Sequence, residues 1–168
     1  NKKGTQALSG VVAASIGNGD RPYRFFNQNG NASNGLNTEI VTSLELPFTI
    51  KTDKRWQFTV SPKAAFLPKD NALYYNTAPI DNSGSFGTVL GLAGGASYKV
   101  NSRLILWGDS FVPFTGNNTI NRDTGLPARI IAFNAGVRYL INPRLATDLF
   151  VSNTLGNTGA LSIVTDRD

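Results

Sequence analysis

Six charged residues stand in the middle of alternating polar and apolar segments: Glu39, Glu45, Lys63, Asp109, Arg138 and Asp148. Three kinds of chemistry are open to such a set. Two converging carboxylates could act as the acid and base of glycoside hydrolysis. Charges lining a passage could guide ions or polar solutes, and acids and bases could instead pair across strands and fill an interior. Other chemistries are closed by composition. The chain has no histidine, which removes the usual general base and the commonest metal ligand. It has no cysteine either, which removes thiolate catalysis, thiolate metal sites and disulfides. The stretch GLAGGAS (91–97) lacks the lysine of a phosphate loop and reads as small residues packed against large neighbours such as Trp107. No catalytic, cofactor-binding or metal-ligating residue is assigned, no cofactor is implied, and the chain is not read as an enzyme. A second charged group, Lys51, Lys54, Arg55, Lys99, Arg103 and Arg144, lies at segment ends, where it suits a solvated rim, contact with lipid phosphates or guidance of anions.

The elements that must position these charges are strands. Period-two alternation places Ile40, Thr42, Leu44, Leu46, Phe48 and Ile50 on one face of 38–51, against Glu39, Ser43, Glu45 and Lys51 on the other. The same pattern runs through 55–66, 85–100, 103–114, 130–141 and 144–155, with a further strand near 5–17. Seven strands follow, most of them longer than the 5–6 residues common in globular sheets and long enough to cross a bilayer at a tilt. Residues 158–166 are a candidate for a short eighth. No run of apolar residues is long enough for a transmembrane helix.

The connections alternate in length. Short ones fall at 52–54, 101–103 and 142–144, and long ones, rich in Gly and Asn, at 18–37, 68–84 and 115–126. In an up-and-down order all the tight turns share one rim and all the long loops the other. Keeping faces matched across a turn requires an odd number of loop residues. That arithmetic pairs Ile141 with Leu145, Val137 with Leu149, Asp109 with Gly95, Trp107 with Ser97 and, on the polar face, Arg138 with Asp148.

The two faces suggest which side is outside. Charged residues make up 16 % of the chain against roughly 25 % in soluble domains. The apolar face is bulky and almost uncharged, the polar face is small and charged, and aromatic residues collect near segment ends: Tyr23, Phe25, Phe26, Trp56, Phe66, Tyr74, Tyr75, Tyr98, Phe114 and Tyr139. The excess of 16 basic over 11 acidic side chains is not gathered into a stripe, so nucleic acid is not an expected partner.

The repeated units VNSRLILWGDSF and INPRLATDLFVSN, and GVRYLINPRLATDLFVSNTLG in particular, resemble the hairpins of bacterial outer-membrane β-barrels, the cyanobacterial ones included. The resemblance covers about 38–155, is one of architecture and transfers no site residue. It implies an all-β fold: an antiparallel up-and-down transmembrane β-barrel of about eight strands, in an outer membrane. Residues 1–168 form one such domain, either whole or a segment of a longer chain. The implied role is a passive pore for small polar solutes or a structural envelope protein. Its partners are membrane lipids, with a homo-oligomer or larger assembly open. The rival reading is a soluble β-barrel holding a lipophilic ligand in an apolar interior.

Overall fold

The computed structural model describes residues 4–18, 25–26, 32–33, 38–52, 54–67, 87–121, 123, 127–155 and 159–165. The chain is all-β. Nine strands form one antiparallel sheet: β1 (Gln6–Leu8), β2 (Val11–Asn18), β5 (Thr38–Glu45), β6 (Phe48–Lys51), β7 (Trp56–Phe66), β8 (Thr88–Lys99), β9 (Leu104–Pro113), β12 (Ala132–Asn142) and β13 (Leu145–Ser152). Two small ladders, β3 (Phe25–Phe26) with β4 (Ala32–Ser33) and β10 (Thr119–Ile120) with β11 (Pro127–Ala128), lie in the long connections.

The nine strands make seven passes of the chain. β1 and β2 continue one another beside β6 and β5 in a single register, because Gln6 faces Ile50 and Val11 faces Glu45. The break comes at Ser9–Gly10 and Leu46–Pro47, where Pro47 has no N–H to give a ladder. Ser9 N–H donates to Pro47 O and Leu46 N–H to Pro62 O, which carries the pairing across the gap. The passes follow one another in up-and-down order, so the alternation read from the sequence gives the correct sheet. The passes are shorter than the sequence segments: 85–100 contains the 12 residues of β8, and 144–155 the eight of β13.

The tight turns share one rim, and the turn arithmetic holds with two adjustments. Asp109 faces Gly95, Trp107 faces Ser97, Val137 faces Leu149 and Arg138 faces Asp148. Ile141 does not face Leu145, however. A bulge between Leu140 and Asn142 brings Asn142 opposite Leu145 and leaves a two-residue turn at Pro143–Arg144. In the first hairpin Lys51 faces Gln57 and Thr52 N–H reaches Trp56 O, so the loop lies one residue later than 52–54. The recurrent Asn-X-Arg has a local cause. Asn101 Oδ1 accepts from the N–H groups of Arg103 and Leu104, and Asn142 Oδ1 from that of Arg144, each asparagine closing its own turn.

Two expectations are corrected. Residues 158–166 do not add an eighth strand. Among the described residues Gly159–Ser162 is a single 3-10 turn, and Thr165 joins Thr154 in an isolated bridge rather than a ladder. A 3-10 turn puts positions i and i+3 on one side, and this one sends Ala160 and Ile163, 3 % and 0 % exposed, into the same core. An extended strand would turn them to opposite faces. Nor is the sheet a closed barrel: among the described residues no ladder joins β13 to β1 or β2. The sheet is curled nonetheless. Seven passes laid flat would be about 29 Å wide. Yet the segment that bonds Leu155 N–H to Val164 O, beside the β13 edge, packs within a few residues on β2, β5 and β7.

Candidate functional site: a polar cleft on the inner face

The core lies on the face that the terminal segment covers. It consists of Ala65, Leu67, Val89, Phe111 and Ala132 from β7 to β12, closed by Ala160 and Ile163, with Val41, Ala93 and Val164 at its edge. Polar side chains are buried on the same face, Ser43 and Ser61 among them. On the outer face stand Leu44, Phe48, Phe58, Val60, Leu90, Leu92, Leu106, Val112, Phe133 and Tyr139, all exposed. Large apolar side chains thus stand in the open on one face, while the other holds an apolar cluster and a polar region.

Between the core and the tight turns the inner face holds a cleft of about 600 Å³. Its lining includes Glu45, Lys63, Asp109, Arg138, Asp148, Asn134, Trp107, Phe150 and, at the core end, Ser162. Five of the six mid-strand charges are thus gathered in one place; the sixth, Glu39, stands on β5 opposite Gly17. Three polar groupings divide the lining. Lys63 Nζ lies 3.3 Å from a Glu45 carboxylate oxygen and donates to Ser162 Oγ at 3.2 Å, with both charged side chains largely buried. Arg138 grips Asp148 with two parallel bonds, Nε to Oδ1 at 2.9 Å and Nη2 to Oδ2 at 3.0 Å. This fork fixes orientation, although the two side chains remain 50 % and 31 % exposed.

The third grouping was not legible in the sequence. Asn134 Nδ2 donates to Asp109 Oδ1 at 2.9 Å, while Asn134 Oδ1 accepts from Ser152 Oγ and Thr154 Oγ1. Asn134 faces Asp109 on one side and Ser152 on the other, so one amide ties three neighbouring passes. A second asparagine does comparable work at the opposite rim. Asn118 is fully buried; its Nδ2 donates to Ile130 O and Ile163 O, and its Oδ1 accepts from Ile130 N–H. Its backbone carbonyl accepts from the N–H and the hydroxyl of Thr165. In the sequence Asn118 falls in a turn-rich stretch and Asn134 on the polar face of 130–141, and neither position by itself announces these bonds.

Glycine makes room for the aromatic wall. A Cβ at Gly136 would lie 2.6 Å from Phe150 Cβ and 2.9 Å from Trp107 Cζ2. Trp107 faces Ser97 on β8 as expected, but the glycine it depends on is across the other seam, on β12. The rim cations Lys51, Lys54, Arg55, Lys99, Arg103 and Arg144 are all exposed in or beside the tight turns. Arg55 Nη1 donates to Tyr98 Oη at 3.2 Å, and Trp56 packs on Phe58 and Tyr98 with centroids 5.6 and 4.7 Å away. Tyr23, Tyr74 and Tyr75, expected in an aromatic girdle, lie outside the described residues.

With all its charges engaged, the cleft offers neither two converging carboxylates nor an activated nucleophile. Among the described residues no cluster of acidic side chains suited to a metal ion is present. No protein-family model, curated protein or solved structure matches the chain.

Proposed function

We propose that the chain forms the wall of a transmembrane β-barrel in a bacterial outer membrane, enclosing a charge-paired polar interior for small polar solutes. The observation that carries this reading is the exposed apolar face. Large apolar side chains stay exposed along the outer face, from Leu44 on β5 to Tyr139 on β12, while charged side chains are gathered in the inner cleft. A water-soluble protein has no reason to expose an apolar surface of this extent, whereas a lipid-facing wall requires it. Strand length agrees, since β7, β8, β9 and β12 have 11, 12, 10 and 11 residues, against the roughly 9–11 a tilted strand needs. The Trp56, Phe58 and Tyr98 group beside exposed Arg55 is the kind of aromatic and basic rim that sits at a headgroup boundary.

Against a lipophilic ligand stand the five charged side chains in the cleft's lining, Glu45, Lys63, Asp109, Arg138 and Asp148, which an apolar guest would desolvate without replacing their bonds to water. A bilayer also tolerates no open sheet edge, so this reading requires β13 and the β1–β2 edge to be paired in the membrane. Flotation with liposomes is the direct test. The protein should rise with the vesicles, resist carbonate extraction and need detergent to stay monodisperse. A protein monodisperse in plain buffer that stays at the bottom of the gradient refutes the proposal.

A further inference from the structure

We infer that the terminal segment, residues 160–165, is a resident plug of the barrel interior, and that its displacement opens the passage. The inference rests on the membrane-barrel reading and deepens it. The segment does not merely lie beside the wall. Ile163 is the largest fully buried side chain described, and it belongs to one cluster with Ala65 of β7, Val89 of β8, Phe111 of β9 and Ala132 of β12. A side chain in a cluster drawn from that many passes fills the inner face toward the long-loop rim. The cleft lies on the tight-turn side of this cluster and ends on Ser162. Among the described residues the cleft therefore opens toward the tight turns and stops at this segment.

The means of attachment separate a plug from an ordinary core. Its polar contacts come from single side chains and carbonyls distant in the sequence. Asn118 clamps it through Ile163 O and the Thr165 N–H and hydroxyl, while Lys63 latches it through Ser162 Oγ. Lys63 is also paired with Glu45, so on release of Ser162 it keeps a partner, and the wall does not acquire a bare buried charge. The wall's own ladders make no use of residues 160–164. The segment can leave while the sheet stays intact.

The chain's lack of cysteine gives a clean test. Asn118 and Thr165 are joined by a backbone hydrogen bond of 2.8 Å, which makes them the pair to cross-link in place of the clamp. In N118C/T165C the reduced protein lacks the amide clamp and the oxidised protein has it restored covalently. Insertion is first confirmed by flotation, and then efflux of a small sugar from liposomes is followed. Wild type should be slow, the reduced variant faster by about tenfold, the weight of one to two buried hydrogen bonds on the closed state, and the oxidised variant slow again. Ser162→Ala, which removes the hydroxyl that Lys63 reaches and leaves the Lys63–Glu45 pair in place, should give a smaller rise and serves if the double variant fails to insert. Equal efflux from wild type, reduced and oxidised protein, all inserted, overturns the plug and leaves the barrel standing. Failure of wild type to float overturns the barrel reading and the plug with it.

Discussion

Val60 and Ile141 are each 48 % exposed on the outer face, which makes them a matched pair for asking what that face touches. Val60 lies in the middle of β7, opposite Phe48 on one side and Gly94 on the other. Ile141 lies one residue from the tight turn that follows Asn142. In water an arginine at either position is a surface substitution, and both should change stability by no more than about 0.5 kcal/mol. In a bilayer the two separate by depth. An outward arginine near the midplane costs about 2–4 kcal/mol, whereas one near the interface costs about 0–1 kcal/mol because its guanidinium reaches the headgroups. At about 1.36 kcal/mol per decade, Val60→Arg should lower the folded-to-unfolded ratio by roughly thirty- to nine-hundredfold, and Ile141→Arg by less than about sixfold. Urea titration of protein folded into phosphatidylcholine vesicles, followed by the emission of Trp56 and Trp107, measures both. Equal costs for the two variants would refute the assignment of the outer face to lipid, however well the protein floats.

Other expectations follow from the inner face. Gly136→Ala places a methyl group against Phe150 and Trp107 and should cost about 1–3 kcal/mol in a urea titration. Gly94→Ala meets nothing within 4 Å and should be neutral or stabilising by up to about 1 kcal/mol. A double-mutant cycle on Arg138 and Asp148 should give a coupling of no more than about 1 kcal/mol that shrinks with salt, since both side chains are wet. Lys63→Ala should cost more, about 2–4 kcal/mol, because it strands the largely buried Glu45 carboxylate. In vesicles, the alternate β13 amides that have no partner on β12 should exchange with solvent as slowly as those of β8. Free exchange there would show that the edge stays open.

Much of the sheet was legible in the sequence because side-chain period and turn parity are local quantities. Alternation located all seven passes. The odd loop at 101–103 carried the register of Asp109 with Gly95, and that of 142–144 carried Arg138 with Asp148 through most of the hairpin, despite the bulge. The same reasoning failed where a local pattern had a non-local use. TGALSIVTD alternates well enough to pass for a strand, but Ala160 and Ile163 are drawn to one apolar cluster built from four other passes. That demand overrides strand propensity, which depends on the packing a strand finds.

The sequence by itself determined the strand order, the two unlike faces and the rim that holds the tight turns, each a consequence of spacing along the chain. The tertiary structure alone decided which polar residues meet beyond neighbouring strands, and did so through curvature. Curling brings Ser162 onto Lys63, and Asn118 onto Ile163 and Thr165. Partners separated by 45 to 99 residues, on no shared hairpin, have no common period through which the chain could announce them. They are set by the way seven passes wrap around one short segment.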